Sequence, residues 1–316
     1  MGICSKLKAS HDGEKDKIRN LPDGIITRIL SLLPTKNAVS TSVLSSRWNH
    51  YWTTIDSFDF DDNTLCHLTQ ANDNPGGFMM FIERVLERCD APNIKKFRLS
   101  WYRSVDVHCL RAFISFALSR NVQELELEIR FCRVVELPLE LFVSKSLEKM
   151  KLRVDYLFNV PLLEDYFPSL KSLHVEFLYP DHPNFNFCQK LLCRCPQLQE
   201  LVIDVRSYYK KHILYKISGT AIKRLTLMVR AKSDQDIQHT FEITAPVLEK
   251  LYIMDDTCHF FLVGSFPQLK RTVIDLRNIE IYERTMYQMD RAVQILSGIT
   301  STKYLSLSLA ATLIVQ

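Results

Sequence analysis

Three cysteines come nearest to a metal-binding pattern in this chain. Cys188, Cys193 and Cys195 are spaced C-x4-C-x-C, without the paired second knuckle that a zinc cage needs. They sit in KLLCRCPQL, an apolar stretch leading into a strand pattern, and read as small buried packing residues. The nine histidines form no close pair. His174 alternates with Leu173 and Val175, which places it on the open face of a strand. The sequence holds no P-loop, no G-x-S-x-G, no H-E-x-x-H and no dinucleotide fingerprint. Eight glycines leave little material for phosphate-cradling loops. The reading is a chain that is not an enzyme and takes no cofactor. The chemistry left to it is recognition, and two stretches carry the residues for that.

The first is LPDGIITRILSLLPTKNAVSTSVLSSRWNHYW, from Leu21 to Trp52. Ile25, Ile29 and Leu33 recur at helical spacing, with Ile26 and Leu30 forming a second stripe beside them. Pro22 starts the helix and Pro34 stops it, because proline lacks the N–H and clashes with the preceding turn. Two shorter helices fit at about Lys36–Leu44, behind a Thr35 cap, and about Ser46–Tyr51. So small a unit carries more apolar surface than it can bury alone, which implies a partner.

The second is a repeat. IKKFRLSW from Ile94, VQELELEI from Val122, LEKMKLRV from Leu147 and LKSLHVEF from Leu170 share one pattern. LQELVIDV from Leu198, IKRLTLMV from Ile222, LEKLYIMD from Leu248 and LKRTVIDL from Leu269 continue it, and TKYLSLSL from Thr302 is a weaker ninth copy. The first eight start about 21–28 residues apart, the spacing of a leucine-rich repeat with its L-x-x-L-x-L core. Alternate residues of each copy share a face, and stacking about nine such strands in parallel builds one continuous core. Ile55, Phe58 and Phe60 offer a short apolar edge that could start the sheet, and QANDNPGG (70–77) reads as a loop. Helices are expected at about Phe78–Cys89 and, as returns between strands, at Val107–Ser119, Phe187–Cys195 and Arg284–Leu296. The positions where regular repeats carry a laddering Asn or Cys hold Tyr102, Arg130, Asp155, Leu178, Arg206, Arg230 and Asp256, so the solenoid is expected to be irregular.

The residues between the core leucines form the concave face. In its first rows Lys96 and Arg98, then Glu124, Glu126 and Glu128, then Lys149, Lys151 and Arg153 alternate in sign on neighbouring strands. This reads as a charge ladder that sets strand register more than as a contact surface. Val202, Met228, Tyr252 and Met254 are the less polar positions and the candidate substrate-contact residues.

Composition bounds the rest. A chain of 316 residues with 47% apolar and 24% charged residues suits a soluble globular protein of about two domains. The +4 charge is spread along the chain, which argues against nucleic acid as a partner. The odd number of cysteines and the absence of a signal peptide or spanning segment point to the nucleus or cytoplasm, with no membrane association. The N-terminal MGICSK misses a myristoylation signal at Lys6. Residues 1–17 are expected to be a disordered leader, 18–60 the helical unit, 61–92 a linker and capping helix, and 93–316 the solenoid with its C-terminal end uncapped.

The L-P-x-x-I-x-x-x-I-L-x-x-L-P pattern followed by S-V-L-S-S-R-W closely resembles an F-box. The phrases PNIKKFRLSW, RNVQELELEI and APVLEKLYI resemble plant F-box/leucine-rich-repeat proteins of the FBD type, whose further FBD segment is absent here. The fold expected is therefore α/β: a three-helix F-box, then an irregular leucine-rich-repeat solenoid with a parallel sheet on its concave face. The resemblance implies that the F-box docks on a Skp-type adaptor and through it a cullin–RING ubiquitin ligase, while the repeats hold a protein substrate. Leu21, Pro22, Ile25, Ile29, Leu33, Pro34, Val39, Leu44 and Trp48 match family positions for folding or adaptor contact. The alternative reading is a non-degradative scaffold, or a truncated competitor of full-length receptors.

Overall fold

Strict alternation of apolar and polar residues produces the main element of the structure, a sheet of ten parallel strands. The computed structural model describes residues 21–63, 75–103, 105–130, 137–154, 163, 166–177, 194–207, 213–231, 239–255, 260–263, 266–276, 299 and 302–309. The leader at 1–17, Cys188, Cys193, the expected helix at 284–296 and nearly all of that at 187–195 lie outside these residues.

The sheet runs β1 (Ser57–Asp61), β2 (Lys96–Trp101), β3 (Glu124–Ile129), β4 (Lys149–Val154), β5 (Ser172–Phe177) and β6 (Glu200–Ser207). It continues through β8 (Arg224–Ala231), β10 (Lys250–Asp255), β12 (Arg271–Leu276) and β13 (Tyr304–Leu309). All nine repeat copies are present as strands, and the Phe58–Phe60 edge is the first of the ten. The register never slips. Phe97, Leu125, Met150, Leu173, Leu201, Leu225 and Leu251 stand opposite one another along the sheet, and so do Leu99, Leu127, Leu152, Val175, Ile203, Leu227 and Ile253. All of these side chains are buried. Each stabilises the fold by roughly 1.5–3 kcal/mol relative to exposure, and a one-residue slip would turn the whole row to solvent. The backbone ladder also extends ahead of the strands: Gln199 N–H donates to Lys171 O, Lys223 N–H to Gln199 O and Glu249 N–H to Lys223 O.

The returns are irregular, and they differ in kind. Between β2 and β3 lies α4 (Val107–Ser119), which buries Leu110, Phe113, Ile114 and Ala117 as its periodicity requires. Its N-cap is Asp106, whose carboxylate accepts from Cys109 N–H at 2.9 Å, and Asn121 closes it at φ 54°. Ahead of β2, α3 (Pro75–Glu87) buries Phe78, Ile82, Val85 and Leu86. Of the loop expected over 70–77, residues 70–74 lie outside the described residues and 75–77 are helical instead: Pro75 opens this helix, where its missing N–H costs nothing. A single turn, α5 (Leu139–Phe142), precedes β4.

Farther along, the returns become strands. β7 (Ile213–Ser218), β9 (His239–Thr244) and β11 (Phe260–Val263) form a second parallel sheet of three strands, in the order β11-β9-β7. Tyr215 stacks on Phe241 with ring centroids 4.4 Å apart, and both are buried. A Cβ on Gly219, just after β7, would stand 2.4 Å from the buried Ile222 side chain, so the tight turn into β8 requires glycine there.

Candidate functional site

At the N-terminal end, α1 (Asp23–Leu30) follows Pro22, and α2 (Thr35–Ser40) follows Pro34. Short 3-10 turns at Thr41–Val43, Ser46–Asn49 and Tyr51–Thr54 complete the unit. The two stripes of α1 take opposite roles. Ile26 and Leu30 are fully buried and join one hydrophobic core with Ala38, Trp48, Trp52, Phe58 and Phe60, while Ile25 and Ile29 face outward. Thr35 is not a cap. It is the first helical residue, its N-cap place is taken by Pro34, and its buried hydroxyl accepts from the Asp59 N–H of β1 at 2.7 Å. That bond ties the helical unit to the first strand. Thr53 adds a second tie: its hydroxyl donates to the Asp90 carboxylate at 2.8 Å.

The unit is clamped from the other side by Asp23. Its carboxylate accepts from Tyr51 at 2.5 Å and from Arg47 at 2.7 Å, and Arg47 also donates to Leu21 O at 2.6 Å. The bond from Tyr51, then that from Arg47, holds the Asp23 carboxyl below its ordinary range. These bonds fix the start of α1 against the third helical segment. Leu32 is 81% exposed, Val43 85% and Leu44 69%, and Ile25 and Ile29 are exposed as well.

The nine motif residues divide accordingly. Trp48 is buried, and Leu21, Leu33 and Val39 are partly buried against the core, so these four hold the unit together. Pro22, Ile25, Ile29, Pro34 and Leu44 are exposed. Leu32 and Val43 belong with the exposed set and were not picked out by motif position. Both lie in the short connections after α1 and α2, off the helical stripes that drew attention to the others.

The concave face is the second surface. Its charges pair across neighbouring strands: Lys149 Nζ is 2.7 Å from Glu124, Lys96 Nζ 2.9 Å from Glu126, and Arg98 2.6 Å from Asp59. Ser100, Glu176, Asp204 and Met254, expected on the open face, are buried. For the carboxylates the cover is a row of arginines. Arg130, Arg206 and Arg230 occupy the positions where a regular repeat carries its Asn ladder, and they reach back over the sheet. Arg153, Arg206 and Arg130 stand 2.6, 3.0 and 3.5 Å from the Glu176 carboxylate, and Arg230 stands 3.1 Å from Asp204. Arg153 and Arg130 also donate to Glu128 at 3.2 Å each. Burial works against the charge on Glu128, but Arg153 and Arg130 outweigh it and its pKa falls. At Asp204 burial prevails over Arg230, and its pKa rises.

Of the four candidate contact residues, Val202 and Tyr252 share one cross-strand row through Thr226, and Met228 and Met254 are paired in the next. Val202, Met228 and Tyr252 keep part of their side chains at the surface; Met254, only 5% exposed, has little to offer a partner. Cys195 is buried, and among the described residues no group of three or more His, Cys, Asp or Glu could hold a metal ion. No helix among them is long and apolar enough to cross a membrane.

An F-box family model matches residues 18–60, and the model "FBD-associated F-box protein At5g56370, LRR repeats" matches residues 110–312, more than half of the chain. The chain belongs to the FBD-associated F-box/leucine-rich-repeat family. Its relatives in Arabidopsis thaliana include F-box/LRR-repeat protein At4g14096, 30% identical over 85% of this chain and 56% of its own length. F-box/LRR-repeat protein At4g14103 is 32% identical over 84% of this chain and 68% of its own length. FBD-associated F-box protein At4g10400 is 29% identical over 93% and 66%. This F-box/leucine-rich-repeat chain thus spans little more than half the length of the first of these relatives and about two thirds of the other two. No solved structure matches it significantly.

Proposed function

We propose that the chain is the substrate-recognition subunit of a Skp–cullin–F-box ubiquitin ligase. The F-box docks on a Skp-type adaptor, through it on a cullin–RING ligase, and the solenoid holds a target protein for ubiquitination. The observation that carries this reading is the exposed apolar group of Ile25, Ile29, Leu32, Val43 and Leu44, on a unit whose other side is continuous with the solenoid core. Five exposed large apolar residues on so small a unit support a docking surface for a partner. The chain itself performs no chemistry in this role. It acts by raising the effective concentration of the target beside the ligase.

Capture of a Skp adaptor by the full chain tests the first half. Leu32→Asp combined with Leu44→Asp should lower capture by at least roughly tenfold, the effect of losing contact residues at the centre of an interface. Its melting temperature should stay unchanged, because both side chains already face solvent. Undiminished capture would sink the receptor reading. Capture without any ubiquitin gained by bound protein would favour the scaffold alternative.

A further inference from the structure

The ten-stranded sheet ends differently on its two sides. At β1 the core residues Phe58 and Phe60 are buried, and the F-box lies against the edge, with Thr35 taking the outward Asp59 N–H. At β13 the same core rows run out into water. Leu305 stands in register with the buried Thr272 and Leu251, and Leu307 with the buried Ile274 and Ile253. Yet Leu305 is 44% exposed and Leu307 45%. Leucines that continue a closed core row are placed to be covered.

The backbone is open on that side too. The Tyr304 N–H donates to Lys270 O at 3.0 Å, so Tyr304 faces β12. Alternation along a parallel strand then turns the N–H and C=O of Leu305 and Leu307 the other way, outward. Among the described residues β13 has no neighbour there. Composition marks the same edge. Among the described strands of this sheet, YLSLSL is the one without a charged residue. Charge, lysine above all, and proline are what soluble proteins place on an open strand to keep a second strand off, and β13 has neither. Such an edge offers no ion pair to a charged segment. It suits a neutral strand that alternates leucine with a small polar residue, and β13 is itself such a strand.

We propose that β13 pairs antiparallel with β13 of a second copy of this chain, about a two-fold axis at Ser306. In that register Leu305 of one copy stands opposite Leu307 of the other, and Ser306 opposite Ser306. Directly opposed residues share a face, so leucine covers leucine on the core side and serine meets serine on the concave side. Each Leu305–Leu307 pair also exchanges both of its outward backbone hydrogen bonds, which makes one sheet continuous through both copies. The contact is self-complementary and uses up the edge, so the assembly closes at two. It leaves the two F-boxes at the far ends of the joined sheet, and it holds whether or not they serve a ligase.

Sedimentation of the full chain over a range of concentrations tests this. The chain should pass from one copy to two and stop there. Leu305→Lys with Leu307→Lys sets like charges opposite one another and should weaken pairing at least roughly tenfold. Because both leucines extend core rows, Leu307→Pro provides a second route. Its lost N–H points outward, so the ladder to β12 survives while the edge is blocked, and this variant should also stay single. Ser306→Cys should give a reductant-sensitive covalent dimer on mild oxidation, since the two-fold sets this position against itself. Tyr304→Cys, which would face Ser308, should not. A chain that remains single at about 100 µM overturns the proposal. So does pairing that survives both edge variants, growth beyond two copies, or a dimer that Ser306→Cys does not link.

Discussion

The F-box and the charged half of the concave face both present many side chains to solvent, in opposite condition. On the F-box, Leu32, Val43 and Leu44 are apolar and uncovered. On the sheet, Lys149 meets Glu124, Lys96 meets Glu126 and Arg98 meets Asp59, so the charges are matched within the chain. A surface whose groups already satisfy one another explains itself as structure. One whose groups are unsatisfied needs a partner to explain it. The arginine row lies between these cases: it meets the buried carboxylates Glu176 and Asp204, while Arg153, Arg206 and Arg230 keep about a third of their side chains at the surface.

The largest effect should come from breaking that row at its base. Glu176→Ala removes the carboxylate shared by Arg130, Arg153 and Arg206 and leaves three like charges crowded together. It should cost about 3–5 kcal/mol in chemical denaturation, against at most about 1 kcal/mol for Lys149→Ala in the exposed pair. Similar losses at both positions would mean that the two halves of the face are one ladder. Next comes the division of α1. Leu30→Ala, in the buried stripe, should cost about 2–5 kcal/mol, while Ile29→Ala beside it should stay within about 0.5 kcal/mol and act on adaptor capture instead. If Ile29→Ala unfolds the chain as readily, the outward stripe has been assigned to the wrong side.

Much of this was legible in the chain because repetition and proline are local signals. The L-x-x-L-x-L copies determine both the strands and their register, since each copy places its leucines at the same offset. Pro22 and Pro34 bracket the first helix for the same kind of reason. The orientation of that helix was not legible. Ile25–Ile29 and Ile26–Leu30 are equally apolar, and only the solenoid core behind them decides which stripe is buried. The second sheet was missed because Ile213–Ser218, His239–Thr244 and Phe260–Val263 share no repeated phrase, although each mixes β-branched and aromatic residues as strands do. Burial of Glu176 and Asp204 depends on Arg153 of the neighbouring strand and on Arg130, Arg206 and Arg230, each one residue beyond its repeat copy, which alternation along a single strand does not report.

A smaller change tests how firmly the two regions are joined. Thr35→Val keeps the shape of the side chain but leaves the Asp59 N–H without its acceptor, a loss of about 1–3 kcal/mol for a group shielded from water. The cost should appear in global unfolding, since the bond links the F-box to β1 rather than bracing either alone. A selective loosening of the F-box in hydrogen exchange, with the sheet unaffected, would show that the two open independently.

The smallest expected effect is a slope against pH, and it distinguishes the paired half of the face from its centre. His174 stands between Lys151 and Val202 on the sheet, half-buried, with its Nε2 lacking a partner. Burial first, then Lys151 and Arg153, holds its pKa below the ordinary value against the opposing pull of Glu176 and Glu126. The folded chain therefore resists the proton that the unfolded chain accepts. The stability tied to this group is present above the unfolded value of about 6.5 and is lost as pH falls below it toward the lower folded value. Asp204 runs the other way, because its folded pKa is raised: it favours the folded state at acid pH and opposes it as pH rises through the folded value. Its window begins near the unfolded carboxylate range of about 4, below most of the histidine's. Denaturation midpoints between pH 5 and 7 should thus fall on acidification in the native chain and fall less in His174→Gln. Equal slopes would mean that the centre of the face is as open to water as its charged edge.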